Sequence, residues 1–214
     1  MWRTVLAVTL CAASIAGLPQ RSVAAKDSFV APVRMMIERW DATAQRHQGQ
    51  DVACAALSRS ACLPPRLRGY LEGPSGVPRR EQVLLVNELV NAIPYAPDIE
   101  TYGVRDYWAT PTELMNNRAG DSEDFALAKY FMLRALGFRG EQLVLVVVHH
   151  TEIPEACFMQ LHVTEEEDTL VLTHRQATVQ SADRGLPSNA LFRLGHDGVL
   201  RVKVATVASL GGVW

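Results

Sequence analysis

The chain has 214 residues, 48% of them hydrophobic, which is enough material for one core and one domain. Its formal charge is −2, and no basic stripe, internal repeat or low-complexity tract is visible. That balance argues against nucleic acid and against an anionic membrane surface as partners.

In chain order, Arg3 precedes an apolar run over 5–18, followed by Pro19 and the small residues Ser22-Val23-Ala24-Ala25. This is the layout of a secretory signal peptide over 1–25, and the run is too short to span a bilayer. A leucine before Cys11 makes a poor lipidation site. Removing 1–25 deletes Arg3 and Arg21, moves the formal charge from −2 to −4, and leaves a single exported domain over 26–214. Of the four cysteines, Cys11 leaves with the leader. Cys54 and Cys62, close together in an exported chain, read as a disulfide, with two free thiols as the alternative. Cys157 is left unpaired.

Val33, Met36, Ile37 and Trp40 fall at helical spacing and predict an opening helix over 30–45. Residues 54–65 then read as a short stapled segment, and 73–78 as turn chemistry. Val83, Val86, Val90 and Ile93 place a buried stripe on a second helix that begins at Arg80 and stops at Pro94. Residues 95–119 hold prolines and aromatics without a period and read as an ordered loop. From Ser122 the chain is apolar around nearly its whole circumference until Gly137, the pattern of a buried helix with Asp121, Glu123 and Asp124 in its first turn. Beyond it the pattern changes to strands: a continuous β-branched run over 143–148 covered on both faces, a hairpin from 157–163 to 169–172, and a second hairpin from 191–194 to 199–202. Helices first and strands second predict an α+β domain, with an antiparallel sheet packed on the Ser122 helix.

The helix tip, Gly120-Asp121-Ser122-Glu123-Asp124, resembles the Gly-Asp-Cys-Glu-Asp nucleophile motif of the bacterial transglutaminase-like cysteine proteinases, the LapG-type periplasmic proteases that trim biofilm adhesins. Val86-Asn87-Glu88-Leu89-Val90-Asn91, Tyr95, Asp98, Tyr102-Gly103, Asp106-Tyr107-Trp108 and Pro111-Thr112-Glu113 look like the same family, and the likeness covers 30–182. The resemblance implies a papain-like, transglutaminase-like core. It also implies a protein substrate, a segment of a secreted adhesin, and regulation by an inner-membrane receptor that answers to a cyclic dinucleotide.

The nucleophile position departs from the family, because Ser122 stands where the cysteine would be. A helix N-terminus and a nearby imidazole lower a thiol's pKa to roughly 3.5–7.5, whereas an alcohol needs a positioned general base. Matching the family's frames places its histidine at Phe158, or at Cys157 if the register shifts by one, and its aspartate at Thr173. All three triad positions are therefore read as substituted. Strand alternation puts Cys157, Met159 and Leu161 on one face and Phe158, Gln160 and His162 on the other. A relocated base would come from His149, His150, His162 or His174, with Ser122–His162 and Ser122–His174 as the conceivable dyads and Cys157 as an alternative nucleophile. Asp121, Glu123 and Asp124 match positions where the resemblance implies a calcium ion, and plain helix capping is the alternative reading.

These observations give the expectation of a periplasmic pseudopeptidase that holds a protein or peptide partner, an adhesin segment or an envelope regulator, without cutting it. An active hydrolase using Ser122 or Cys157 stands as the alternative.

Overall fold

The computed structural model describes residues 24–55, 64–72, 77–150, 157–165, 168–176, 180–182, 186–187, 189–195 and 200–202. Its helices are α1 (Ala24–Ala55), α2 (Pro65–Glu72), α3 (Arg79–Asn91), α4 (Asp98–Thr101), α5 (Pro111–Asn117) and α6 (Ser122–Ala135). After a single 3₁₀ turn come strands β1 (Leu143–His149), β2 (Cys157–Glu165), β3 (Asp168–Leu172), β4 (Gln180–Ala182), β5 (Ala190–Leu194) and β6 (Leu200–Val202). The strands form one sheet in the order β4-β3-β2-β1-β5-β6, antiparallel at every pairing.

The α+β architecture is the expected one, and α6 lies against β2 and β1 at its centre. Phe125, Leu127, Tyr130, Phe131 and Leu133 of α6 share a core with Leu143, Leu145, Met159, Leu161, Val163, Leu170 and Leu172 of the sheet. The helix is apolar all round because the sheet covers one side and α3 and α5 cover the others. It ends as the sequence anticipated. Gly137 adopts φ +87°, its N–H donates to Arg134 O, and the Phe138 N–H donates to Leu133 O, which together close a Schellman motif.

Strand β1 is buried from Leu143 to Val148 and sits between β2 and β5, as its unbroken β-branched run implies. The two hairpins are formed by β2–β3, with Glu165 opposite Asp168, and by β5–β6, with Leu194 opposite Leu200.

Three segments differ from the sequence reading. Helix α1 runs well past residue 45, although its second half lacks an apolar stripe. Polar contacts hold it instead: Thr43 Oγ1 and Arg46 Nη2 both donate to Trp108 O, and the His47 ring lies 4.0 Å from that of Phe131. Cys54 thus lies in a helix rather than in a stapled loop, while Cys62, and with it the expected Cys54–Cys62 disulfide, lies outside the described residues. Helix α2 starts on Pro65, whose fixed φ suits a first helical position, and it buries Leu67.

The expected loop over 95–119 contains α4 and α5. Helix α5 starts at a capping box in which Thr110 accepts from the Glu113 N–H and Glu113 accepts from the Thr110 N–H. Gly120 then lets α5 and α6 meet closely, since a Cβ there would fall 2.6 Å from Leu114 Cδ1 and 2.7 Å from Asp124 Oδ2.

Candidate functional site at the tip of helix α6

Asp121 is the N-cap of α6 and forms a capping box with Asp124. Asp124 is fully buried. Its Oδ1 accepts from the Ala109 N–H at 2.7 Å and its Oδ2 from the Asp121 N–H at 3.4 Å. The tip is also tied to the chain before α4 by an isolated bridge between Tyr95 and Gly120, where the Ala96 N–H donates to Gly120 O at 2.9 Å. That tie brings Asp98, three residues on from Tyr95, beside the tip.

Ser122 is buried, and both of its hydroxyl partners are defined. Oγ donates to Glu123 Oε2 at 2.8 Å and accepts from the Met159 N–H of β2 at 3.2 Å. Neither partner is an imidazole.

Alternation along β2 follows the sequence expectation. Cys157, Met159, Leu161 and Val163 join the core on the α6 face, while Phe158 packs with Val144, Val146, Val148 and Ala190 on the other. Of the two residues considered for the histidine position, Cys157 therefore shares the face of Ser122 and Phe158 does not. Burial pushes the Cys157 thiol up, and the Glu123 carboxylate adds to the effect. An activated thiolate needs the opposite shift.

His162 lies on the far face, with its Nε2 2.8 Å from the Gln160 amide nitrogen, and burial next to Arg193 lowers its pKa to about 4. His174 packs its ring against Tyr95 at 5.3 Å and Phe158 at 5.6 Å, and its Nε2 accepts from Arg175 Nε at 3.3 Å. Burial, then the charges of Arg175 and Lys129, lower its pKa to about 4 as well. His150 meets the Phe158 ring at 6.0 Å, and His149 closes β1, where its carbonyl accepts from Asn189 Nδ2. The hydroxyl of Thr173 is engaged in its own turn, accepting from the Gln176 N–H, while its carbonyl accepts from Lys129 Nζ at 3.0 Å and Asn91 Nδ2 at 3.0 Å.

A small, half-open cleft lies beside the tip, lined by Met36 and Arg39 of α1, Asp106 and Trp108, Glu123, and Cys157, Phe158 and Met159 of β2, with Val147 behind. Its mostly apolar wall, set with a few charged groups, is the usual make-up of a ligand site.

Around the tip the carboxylates converge in two groups. Asp98, Asp121 and Asp124 form one, and Asp98, Asp106 and Glu123 form the other; within each, one oxygen per residue lies within 4.8 Å of the others. The three acids of the motif are thus divided between the groups, and two residues from outside it, Asp98 and Asp106, complete them. Both stood in the stretches that resemble the family, but nothing in their spacing assigned them a role.

Burial raises the pKa of Asp98, Asp106, Asp121, Glu123 and Asp124, in each case as the largest cause. Neighbouring carboxylates push Asp121 to about 10 and Asp124 to about 8. Oδ1 of Asp98, of Asp106 and of Asp121 are each buried without a hydrogen-bond partner. Orphaned hard oxygens in a group of this span fit a calcium ion, whose oxygen ligands stand at about 2.3–2.6 Å.

With this geometry established, comparison with known proteins gives a consistent picture. A sequence model described as bacterial transglutaminase-like cysteine proteinase matches residues 75–185, more than half of the chain. No curated protein matches. Among solved structures, Legionella pneumophila LapG is similar at 26% identity and a TM-score of 0.53, over 68% of this chain and 81% of that one. Its calcium-bound form is similar at 24% identity over 64% and 76%, and its EGTA-treated form at 26% over 64% and 74%, each with a TM-score of 0.53. The fold with a buried helix on an antiparallel sheet and the motif at its tip agree with this match, and the chain belongs to the bacterial transglutaminase-like cysteine proteinases.

Proposed function

We propose that the protein is a periplasmic pseudopeptidase of this family, exported by a signal peptide over 1–25 and folded as one domain over 26–214. It holds a protein or peptide partner, an adhesin segment or an envelope regulator, in the cleft beside α6 without cleaving it, and so acts in biofilm or exopolysaccharide regulation. The observation that carries this reading is the environment of Ser122: a carboxylate and a backbone N–H occupy its hydroxyl, and the facing side of β2 offers Cys157 rather than histidine.

A serine so placed has no imidazole to take its proton and return it to a leaving amine. Loss of nucleophile and base from a triad costs about six orders of magnitude in turnover. The mostly apolar wall of the cleft beside the tip supports binding without cleavage.

The same reading includes a calcium ion at the tip. Asp121, Glu123 and Asp124 would hold it, with Asp98 close to Asp121 and Asp124. Bound there, calcium supplies positive charge that lets the buried carboxylates ionise and fixes the segment carrying Ser122.

Chemical labelling tests the proposal. Neither a fluorophosphonate nor iodoacetamide should modify Ser122 or Cys157 stoichiometrically in the native protein, as read by intact mass. Stoichiometric labelling of either residue removes the pseudopeptidase reading in favour of an active hydrolase.

A further inference from the structure

The turn after β3 is fastened to the helical layer at both ends. The Thr173 carbonyl accepts from Lys129 Nζ of α6 and from Asn91 Nδ2 of α3, each at 3.0 Å, and the same Asn91 amide donates to the Gln176 carbonyl. Within the turn the Gln176 N–H donates to Thr173 Oγ1 at 3.2 Å. His174 and Arg175 stand between these anchors, with the His174 ring against the exposed ring of Tyr95.

Arg175 is exposed, yet its guanidinium is held from two sides. Nε donates to His174 Nε2 at 3.3 Å, and Cζ lies 5.9 Å from the centroid of the Phe158 ring. An arginine can only donate, so Nε2 of the imidazole is the acceptor and the ring is neutral. Burial favours that neutral state, and so do the charges of Arg175, Lys129 and His150. The far end of the guanidinium has no counter-ion. Arg34, Arg39, Arg46 and Arg79 each pair with a carboxylate, whereas among the described residues Arg175 pairs with none. Phe158, the ring beneath it, also lines the cleft, so Arg175 stands at the edge of the cleft.

We infer that Arg175 is a carboxylate-recognition subsite of the cleft, in which Nη1 and Nη2 take the two oxygens of an acidic side chain or a C-terminal carboxylate on the bound peptide. The inference deepens the pseudopeptidase reading and rests on it for the presence of a peptide. A guanidinium fork meets a carboxylate through two parallel charge-assisted hydrogen bonds, a geometry that an ammonium does not offer. Because His174 already holds Nε on a pinned turn, Arg175 loses less conformational freedom on binding than a loose surface arginine does.

Three libraries of eight-residue peptides test the subsite. All mix neutral residues at every position but one. That fixed central position is Asp in the first and Asn in the second, both with amidated C-termini, and the third repeats the second with a free C-terminal carboxylate. Each is passed over the immobilised full chain at pH 7 in millimolar calcium, and the retained fraction is read by mass spectrometry. The wild type should retain a carboxylate-bearing library about tenfold better than the amidated Asn library. Preference for the first assigns the carboxylate to a side chain, and preference for the third assigns it to a chain terminus. Arg175→Gln should lose the preference while holding the amidated Asn library as the wild type does, which also reports an intact fold. Equal retention of all three by the wild type, or a preference that survives in Arg175→Gln, overturns the subsite and leaves the pseudopeptidase reading standing. Retention of none by the wild type removes both the subsite and the binding of a peptide in the cleft.

Discussion

A thiol at the N-terminus of a helix is readily ionised beside an imidazole, and an alcohol in the same place is not. Restoring the sulfur at position 122 therefore restores only part of the machinery. In Ser122→Cys the new thiol would sit against Glu123 and the Met159 N–H, and the nearest candidate on the facing strand would still be Cys157. His162 remains on the opposite face, and Arg175 donates to His174 Nε2. A general base contributes about 10² to 10⁴ in rate, so the single revertant should stay near background on an adhesin-derived peptide. The pair Ser122→Cys with Cys157→His places an imidazole on the correct face and should react faster with iodoacetamide than Ser122→Cys alone. The same histidine at position 158 should not, because Phe158 points away from α6. Efficient cleavage by Ser122→Cys alone would mean that a hidden base reaches the tip, and the pseudopeptidase reading would fail. At this scale the alternation of β2 was legible in the sequence. The register between Cys157 and Phe158 was left open, because that depends on which residue of a strand end meets a helix tip.

The helix tip behaves as a unit, and its charge makes a prediction with a definite sign. Asp124 and Asp121 have pKa values raised to about 8 and about 10, first by burial and then by neighbouring carboxylates. An unfolded chain releases these protons near pH 4, so the folded state binds more protons over the window from about pH 4 to pH 8–10. In chelator, stability is therefore highest at the acid end of that window and falls as pH rises through it. Calcium replaces the protons, so in millimolar calcium the melting temperature should be raised and this downward trend largely removed. Paired melts with EGTA and with calcium between pH 5 and 9 read both effects, and identical curves would remove the tip ion. The acids of the motif were legible as a charged first turn, whereas Asp98 and Asp106 were not, because only the Tyr95–Gly120 bridge and the turn around α4 bring them to the tip. Helix α5 was missed for a different reason. Its signal, Thr110-Pro111-Thr112-Glu113, is a capping box, but seven residues among prolines and aromatics show no apolar period. Helix α1 outran its stripe because carbonyl and ring contacts to Trp108 and Phe131 replace apolar burial in its second half.

At the scale of the whole molecule, the helical layer and the sheet are joined at a buried lysine that no sequence pattern singles out. Lys129, on the buried helix α6, is 0% exposed, and its Nζ donates to Asn91 Oδ1 of α3 at 2.6 Å and to the Thr173 carbonyl after β3 at 3.0 Å. Asn91 Nδ2 donates to the Thr173 and Gln176 carbonyls, so three elements meet on two side chains. Lysine in a helical apolar run reads as a solvated position, and only the folded arrangement shows that α3 and the turn after β3 enclose it. Burial lowers its pKa to about 7, against about 10.4 in an unfolded chain. Between those values the unfolded chain holds a proton that the folded one lacks, so through this group stability rises with pH, by at most about 1.4 kcal/mol per unit. Below about pH 7 both states are protonated and the full cost of the buried ammonium is present. Lys129→Met abolishes that titration and leaves Asn91 Oδ1 without its donor, at about 1–3 kcal/mol, while the Thr173 carbonyl keeps Asn91 Nδ2. Melts of the two proteins in saturating calcium, which holds the tip carboxylates ionised, should therefore diverge as pH rises from 7 to 10, with the wild type gaining on the variant. A gap that stays constant over that range would mean that Lys129 keeps its ordinary pKa inside the fold.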